Sequence, residues 1–438
     1  MFTRRDSLLD PENKLAIQTK EFWDDTALLE EEQRVFDICQ GCRLCWNFCP
    51  SFPALFERTD EVDGDLKRLS RADFRPVEDL CYQCKLCYVR CPYTPPHRFD
   101  LDFPRLLMRA KFVNAKADGV KLQEKILAST DLMGTLGGLV APIVNTGATI
   151  KPLRIITEKV IGIHRDAALP KFHRNSFAKI FNSRYQNMDL EGKSVGKVAF
   201  FPTCSINYND PSVGIACVEV LRKNDCEVTV PPQECCGMPF LDSGDLKSSL
   251  KKIGKNVANL YALVEKGYDI LIPSPTCSYT IKYEYPKLLE TEQSDVLSKH
   301  TFDISEYLWK LKTRGVLNTE FINPSFGTKI QKVAYHASCH LRAQFMGNKG
   351  ADLIGLIPGV KVEQMEFCSG HDGTWGVKKN TYPMSLQIGN KLFRSLEGSK
   401  ADLFVTDCPL SSIQIEHVTG QRPVHPVQVL DQAYRALV

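Results

Sequence analysis

The chain has 438 residues, enough for roughly two to four domains. Hydrophobic residues make up 43% and charged residues 24%, values typical of a folded protein rather than a disordered one. The formal net charge is only +3, so the charge balance excludes no class of enzyme but gives no indication of a nucleic-acid partner. The unusual feature is the cysteine content, which is 17 residues.

The first residues carry weak signs of an export signal. Arg4 and Arg5 form a twin-arginine pair, but Ser7 to Lys20 contains no apolar run after it. We therefore expect a cytoplasmic protein whose cysteines are thiols that serve metal, rather than a secreted disulfide scaffold. Residues 1–30 are predicted to be an N-terminal extension.

Residues 31–112 contain two copies of the motif C-x2-C-x2-C-x3-C-P. The copies are Cys39, Cys42, Cys45, Cys49 and Pro50, then Cys81, Cys84, Cys87, Cys91 and Pro92. This is the spacing of bacterial ferredoxins with two clusters, in which the fourth cysteine of each run ligates the other cluster. It predicts two [4Fe-4S] clusters, one held by Cys39, Cys42, Cys45 and Cys91, the other by Cys81, Cys84, Cys87 and Cys49.

An all-thiolate zinc site is the alternative for these cysteines. Zinc ribbons usually combine two C-x2-C knuckles with a long spacer, which differs from a triple run that ends in Cys-Pro. The segment between the motifs, Ser51 to Leu80, is longer than a minimal ferredoxin needs, with a short helix expected at residues 66–74. It resembles the helical insert of respiratory iron–sulfur subunits, which implies an alpha-helical type of two-cluster ferredoxin domain.

Residues 113–194 are predicted to be a helical, basic linker. Its segment Leu132 to Ile150 has no charge over 19 residues, but four glycines and Pro142 argue against a membrane-spanning helix and favour two short helices. From Arg98 to Lys197 there are 17 Lys or Arg against 9 Asp or Glu. An apolar segment in a basic region is typical of a helix that lies on anionic lipid. A helix pair packed on its own domains is the alternative.

The C-terminal half reads as an internal repeat, over residues 195–328 and 329–438. The first copy contains Cys204, Cys235, Cys236 and Cys277, and the second contains Cys339, Cys368 and Cys408. Cys204 to Cys235 is 31 positions and Cys339 to Cys368 is 29. Apolar strands alternate with helical patterns in each copy, which predicts small parallel α/β layers with cysteines at the carboxyl ends of strands. The overall fold class is thus α+β and α/β.

These cysteine strings resemble the CCG domain of heterodisulfide reductase subunits and related iron–sulfur oxidoreductases. The strings are FPTCSINYNDP, CCGMPFLDSGD, SPTCSYTIKYEYP, YHASCHLRAQ and EFCSGHDGTWG. A tandem ferredoxin followed by two CCG domains resembles the iron–sulfur subunits of flavin dehydrogenases, the anaerobic glycerol-3-phosphate dehydrogenases above all. The resemblance covers roughly residues 35 to 430.

The repeats depart from the five cysteines of a full CCG site. Ser274 replaces a cysteine in the first copy, where Cys204, Cys235, Cys236 and Cys277 still suffice for one further iron–sulfur cluster. In the second copy Ser369 and Ser411 leave only Cys339, Cys368 and Cys408. That depleted site is either a metal centre, completed by His336, His340 or His371, or a vestigial or quinone-facing cavity.

The resemblance implies an electron-transfer subunit that passes electrons from a flavoprotein dehydrogenase to the membrane quinone pool. The flavoprotein would act on glycerol 3-phosphate or a similar hydroxy substrate, such as glycolate or lactate. No G-x-G-x-x-G fingerprint follows a predicted strand, so we expect no dinucleotide site and no catalytic residues in this chain. It would be peripheral, on the cytoplasmic face of the inner membrane and in contact with lipid. Alternatives are a disulfide reductase that uses the CCG centres and a zinc-stabilised scaffold.

Overall fold

The computed structural model describes residues 14–186, 188, 194–327 and 329–435. The expected N-terminal extension is therefore described only from residue 14, and the pair Arg4 and Arg5 lies outside the described residues. Residue 328 and residues 436–438, at the ends of the two expected repeat units, also lie outside them. The described chain is a helical region followed by two small parallel sheets, which confirms the fold class expected from the sequence.

The N-terminal region is built from short helices around an aromatic core. The helices are α1 (Asp25–Cys42), α2 (Ser51–Asp60), α3 (Arg71–Leu80), α4 (Leu86–Arg90) and α5 (Phe103–Asp118). The core rings are Phe36, Phe52, Phe56 and Phe74, each at most 2% exposed, and burying each contributes about 1.5–3 kcal/mol. The helix expected at residues 66–74 is split, because Ser70 and Asp73 form a capping box that starts α3 after the 3-10 turn Leu66–Arg68.

The linker consists of further short helices. They are α6 (Leu122–Ala128), α7 (Thr130–Leu139), α8 (Ala141–Gly147), α9 (Lys151–Ile161) and α10 (Phe177–Arg184). The helix break expected near Pro142 occurs at Val140, whose ψ of 27° is not helical, while Pro142 takes a first-turn position of α8 that needs no N–H donor. None of the described helices is both long and apolar enough to cross a bilayer.

The two C-terminal domains have matching parallel sheets. The first sheet has the strand order β2-β1-β3-β4 and the second β6-β5-β7. The strands are β1 (Gly196–Phe200), β2 (Cys226–Thr229), β3 (Asp269–Ile272), β4 (Thr301–Asp303), β5 (Lys332–His336), β6 (Lys361–Met365) and β7 (Leu403–Thr406). The shared order β2-β1-β3 and β6-β5-β7 shows that the repeat seen in the sequence is a repeat of fold.

Helices flank both sheets and bury their central strands. In the first domain they are α11 (Thr203–Tyr208), α12 (Pro211–Arg222), α13 (Met238–Asp242), α14 (Leu246–Val264), α15 (Pro275–Tyr279), α16 (Tyr285–Leu289), α17 (Glu292–Lys299) and α18 (Ile304–Thr313). In the second they are α19 (Cys339–Arg342), α20 (Lys349–Ile354), α21 (Tyr382–Gly398), α22 (Pro409–Thr419) and α23 (Pro426–Arg435). Cysteines follow the carboxyl ends of β1, β3, β5 and β7, where parallel sheets place their functional groups.

Candidate metal centres

The cysteines of the N-terminal region form two groups that cross between the motifs. Cys39, Cys42, Cys45 and Cys91 make up the first thiol set. Burial raises the pKa of Cys45 to about 12, and the neighbouring Cys91 and Cys42 contribute to the shift. Burial also raises the pKa of the Cys39 thiol, and the neighbouring Cys45, Cys91 and Cys42 add to the shift. Cys42 is exposed, so the first set lies at the surface.

The second thiol set consists of Cys81, Cys84, Cys87 and Cys49, and it is deeper in the molecule. Cys81 and Cys84 are buried. Burial raises the pKa of Cys87 well above its usual value, and the nearby thiols of Cys84, Cys49 and Cys81 add to the shift. The structure thus places the fourth cysteine of each motif with the first three of the other.

The third thiol set, Cys204, Cys235, Cys236 and Cys277, is a row of touching thiols in the first C-terminal domain. Cys235 lies beside Cys204 and Cys236, and interactions with these two thiols lower the pKa of its own thiol well below the usual value. Cys236 in turn contacts Cys277. The chain turns sharply after the pair at Gly237, whose φ of +92° is in the left-handed region.

A carboxylate from the linker lies beside the third thiol set. Asp131, in the first turn of α7, accepts a hydrogen bond from the Cys204 thiol (Sγ to Oδ1, 3.2 Å) and another from the Cys235 backbone N–H (2.9 Å). Thr130 donates to Cys204 Sγ at 3.2 Å. The sequence analysis did not identify Asp131 or Thr130, because they are 73 and 74 residues from Cys204 and belong to no motif.

The fourth thiol set, Cys339, Cys368 and Cys408, lies in the second C-terminal domain. Burial raises the pKa of Cys368 to about 11, with nearby Asp372 adding to the shift. Asp372 Oδ2 lies 3.9 Å from Cys339 Sγ. Burial raises the pKa of the Cys408 thiol, and Asp372 adds to that shift. Asp372 was missed by the sequence analysis, although its position soon after Cys368 in the same loop could have suggested it.

The serines that replace cysteines behave differently in the two domains. Ser369 and Ser411 are 7% and 4% exposed, and their hydroxyls hydrogen-bond to each other at 3.0 Å. Their polar atoms are therefore satisfied without a metal. Ser274 is buried as well and directly precedes α15, which carries Cys277.

Of the three histidines expected near the fourth set, two have hydrogen bonds at both ring nitrogens. His336 contacts the Thr406 hydroxyl and the Phe367 carbonyl through its two ring nitrogens. His340 contacts the Thr276 hydroxyl and, across to the second thiol set, the Gln83 carbonyl at 3.0 Å. Only the imidazole of His371 has no hydrogen bond of normal geometry among the described residues. Burial lowers the pKa of all three rings to about 4, so they are neutral at pH 7.

The second and fourth thiol sets meet in one apolar cluster. Cys84 and Cys49 pack with Cys339 and Cys368 in one apolar cluster. The Tyr82 and Trp375 rings, 4.7 Å apart, cover the contact. The third set is linked to the second less directly. Lys111 bridges the Cys81 carbonyl (2.6 Å) and the Asp242 carboxylate (2.9 Å) at the end of α13.

None of the seventeen cysteines, all of which lie within the described residues, forms a disulfide bond. Soft thiolates select iron–sulfur clusters, zinc or Cu(I), so the donor chemistry of the first three sets fits the iron–sulfur clusters expected there. Each of those sets offers four sulfurs. The fourth set offers three, together with the carboxylate of Asp372.

Family models match most of the same regions. Residues 32–117 match a domain described as the Fer4-like domain of citrate utilization protein B. Residues 198–282 and 333–416 each match a domain described as a cysteine-rich domain. The repeat is therefore also recognised as two copies of one family domain.

Several curated proteins resemble the chain. The subunit designated C of the anaerobic glycerol-3-phosphate dehydrogenase of Escherichia coli K12 is 33% identical over 76% of this chain and 82% of its own length. Lactate utilization protein A of Halalkalibacterium halodurans is 31% identical over 48% of this chain and 85% of its own length. The subunit designated B of the fumarate reductase (CoM/CoB) of Methanothermobacter marburgensis is 28% identical over 62% of this chain and 55% of its own length.

The first of these similarities is high enough and long enough to show the family. The chain therefore belongs to the family of the anaerobic glycerol-3-phosphate dehydrogenase subunit designated C, an iron–sulfur oxidoreductase family that joins a ferredoxin-like domain to two cysteine-rich domains.

Proposed function

We propose that this chain is an electron-transfer subunit that accepts electrons from a flavoprotein dehydrogenase and delivers them to membrane quinone. The first and second thiol sets would each hold a [4Fe-4S] cluster, and the third set one further cluster, which when bound supply one-electron carriers. The observation that carries the proposal is that the second and fourth thiol sets share one apolar cluster. This cluster joins the ferredoxin-like domain to the second cysteine-rich domain.

The order of the thiol sets suggests a direction. The first set reaches the surface at Cys42, where a partner protein can approach. The second set lies behind it and is buried by both cysteine-rich domains. The described residues place Lys85 of the second motif in a buried ion pair with Glu284 (3.0 Å), which fixes the domains to each other. A fixed separation between centres suits a relay, because electron transfer depends steeply on distance.

The substrate chemistry is assigned to a separate flavoprotein. The E. coli relative is named as part of a glycerol-3-phosphate dehydrogenase, and another relative is named for lactate utilization. Glycerol 3-phosphate or a similar hydroxy acid or alcohol is therefore the proposed substrate of the partner. This chain would contribute no residue to that oxidation.

The linker offers a surface for a membrane. Apolar side chains along α7, α8 and α9 are between 37% and 77% exposed; they are Leu132, Met133, Leu136, Leu139, Val140, Ile143, Val144, Ile150, Leu153, Ile156 and Val160. Apolar surface of this extent beside lysines such as Lys151 and Lys159 fits the interface of an anionic bilayer. We therefore place the chain as a peripheral protein on the cytoplasmic face of the inner membrane.

A cavity near this surface has the size of a quinone headgroup site. Its volume is about 300 Å³, at the lower end of ligand pockets. It lies between the cysteine-rich domains and is lined by residues that directly follow Cys204 and Cys408, namely Ser205, Ile206, Pro409 and Leu410. His173 and Arg422 supply polar groups that could hydrogen-bond to quinone oxygens.

The relay is tested with the purified chain loaded with iron and sulfide. After chemical reduction and removal of the reductant, a short-chain quinone should reoxidise the centres, followed by their absorbance near about 400 nm and by electron paramagnetic resonance. Centres that stay reduced with quinone but turn over a mixed disulfide would contradict the proposal and favour a disulfide reductase. Oxidation of glycerol 3-phosphate by the chain alone would contradict the separate flavoprotein.

The membrane surface is tested with vesicles that contain phosphatidylglycerol. The double substitution Leu139→Glu and Ile143→Glu should weaken co-sedimentation at least about tenfold, since each buried apolar side chain contributes about 1.5–3 kcal/mol. Val418→Glu is the matched control, because Val418 is 42% exposed but lies outside the linker. Equal binding of the double variant and the control would contradict a role of this surface.

A further inference from the structure

The third thiol set has one cysteine fewer than the five of the family pattern, and the structure places a different side chain beside it. We propose that Asp131 is the fifth protein ligand of this centre, so that the ligand set is four thiolates and one carboxylate. This assignment rests on the proposed function, in which the third set holds an iron–sulfur cluster. It explains how the site can keep five donors although Ser274 has replaced a cysteine.

The geometry is that of a shared metal ligand. The carboxylate oxygen of Asp131 and the sulfurs of Cys204 and Cys235 all lie within 4.8 Å of one another. The Cys204 thiol points its proton at Asp131 Oδ1 over 3.2 Å. Metal binding displaces thiol protons. Once the Cys204 proton has left for solvent, a metal ion can occupy the place between sulfur and oxygen.

The second oxygen of Asp131 holds the carboxylate in this orientation. Oδ2 accepts hydrogen bonds from the Cys235 backbone N–H at 2.9 Å and from Lys252 Nζ at 2.6 Å. Lys252 is itself held by Glu234 at 3.1 Å. Hydrogen bonds to the outer oxygen are the usual way in which proteins orient a ligating carboxylate. Oδ1 remains directed at the thiols.

The glycines of the linker explain how α7 comes so close. A Cβ atom on Gly134 would lie 2.3 Å from the Tyr208 ring, and one on Gly137 would lie 2.8 Å from the Phe172 ring. Only glycine at these positions lets α7 lie against Tyr208 of the first cysteine-rich domain and Phe172 of the linker without displacing these rings. The glycine-rich stretch thus seats the helix whose first turn carries Asp131.

The same helix carries part of the exposed apolar surface. Leu132, Leu136 and Leu139 are 58%, 52% and 67% exposed, whereas Asp131 of the preceding position faces the thiols. The centre is therefore closed by a helix that is also proposed to contact lipid. Any shift of α7 at the membrane would move a ligand of this centre.

The test measures iron content and spectra rather than turnover. With the third cluster present, the wild-type chain should hold about twelve irons, and Asp131→Ala should hold about eight. Asp131→Cys should retain about twelve, with an altered Mössbauer and paramagnetic resonance signal because one iron exchanges oxygen for sulfur. The signals of the two ferredoxin clusters are the internal measure of correct folding.

Two further variants separate ligation from positioning. Asp131→Asn keeps an oxygen that can accept the Cys235 N–H but supplies no anionic ligand, so it should lose the signal of the third centre as Asp131→Ala does. An unchanged spectrum for Asp131→Asn would mean that Asp131 only positions Cys235. Asp118→Asn is the matched control, since Asp118 is an exposed aspartate at the end of α5 that pairs with Arg75.

The outcomes distinguish this assignment from the wider proposal. About twelve irons in wild type and in Asp131→Ala, with the same spectrum, would overturn the ligand assignment and leave the third cluster standing. About eight irons in the wild-type chain would overturn the third cluster itself, and with it this assignment. The relay through the two ferredoxin clusters would be unaffected in both cases.

Discussion

The two cysteine-rich domains share the order of three parallel strands, but their contacts with the ferredoxin-like domain differ. The first domain adds two ion pairs, Lys85 with Glu284 and Lys111 with Asp242, to an apolar contact that includes Met108 and Phe112. The second domain presents an apolar and aromatic face, on which Trp375 covers the second thiol set. The two repeats therefore share a three-stranded frame, and their interfaces with the rest of the chain differ.

The cysteine sites of the two domains have each lost ligands of the five-cysteine pattern, but to different extents. The first domain keeps four touching thiols and gains Asp131 from the linker. The second keeps three thiols, and two of its former ligand positions are the hydrogen-bonded serines Ser369 and Ser411. In the second domain, the serines at the lost ligand positions hydrogen-bond to each other, and the site packs against the second thiol set. These two interactions compensate for the missing cysteine ligands.

The difference between the two cysteine-rich domains is tested most directly by removing one thiol from each. Cys236→Ser should lower the iron content by about four per chain, because it removes a ligand of the third cluster. Cys368→Ser should leave the iron content unchanged. Iron and labile sulfide analysis of the reconstituted chains measures both.

A control variant and a contrary result can be defined. Cys217→Ala alters a buried cysteine outside all four sets and should not change the iron content. If Cys368→Ser also loses iron, the fourth set holds metal and the two domains are more alike than their ligand counts indicate.

The charged interface is tested at Glu284. Glu284→Gln should lower the free energy of unfolding by about 3–5 kcal/mol, since it leaves the buried Lys85 ammonium without its carboxylate. Urea unfolding of the loaded chain measures the loss. Glu31→Gln is the matched control in the exposed pair with Arg34 and should cost less than about 1 kcal/mol. Equal losses would show that buried charge does not hold the first domain in place.

The contact between the two cysteine-rich domains should weaken in acid. His425 of the second domain contacts the Pro273 carbonyl of the first at 3.0 Å, and burial lowers its pKa from 6.5 to about 4. Between these values the unfolded chain binds a proton that the folded chain does not. The histidine therefore destabilises the fold as the pH falls below 6.5, by about 1.4 kcal/mol at pH 5.5.

The measurement compares unfolding at pH 7.5 and pH 5.5 for wild type and His425→Gln. The glutamine can still donate to Pro273 but does not titrate, so its loss of stability on acidification should be smaller by about 1.4 kcal/mol. The surrounding charge at this site is Asp210, which acts weakly in the opposite direction. Equal acid sensitivity of the two chains would contradict a buried neutral His425.

An effect of similar size is expected at the serine pair. Ser411→Ala should cost about 1 to 2 kcal/mol, because buried Ser369 loses its hydrogen-bond partner, while the iron content stays the same. Ser395→Ala, at an exposed helix position, is the control and should change stability by less than about 0.5 kcal/mol. A change in iron content with Ser411→Ala would show that the serines take part in metal binding.

Much of this architecture was predictable from residue patterns. The alternation of strands and helices predicted for the C-terminal half occurs in the structure, for example in the strand Leu403–Thr406 and the helices that begin at Pro211 and Leu246. Two strands were missed for physical reasons. Thr301–Asp303 has only three residues, and Lys361–Met365 is an edge strand with mostly exposed side chains, so neither shows a clear apolar alternation.

The sequence by itself determined the cysteine motifs, the repeat and the erosion of ligands, because these depend on residue type and on spacing along a short stretch of chain. Only the tertiary structure decided which groups meet across long distances. Asp131 reaches Cys204, and Trp375 covers Tyr82, through helix packing that no local pattern encodes. The physical reason is that motif chemistry is local, whereas the surroundings of each centre are assembled from the packing of separate domains.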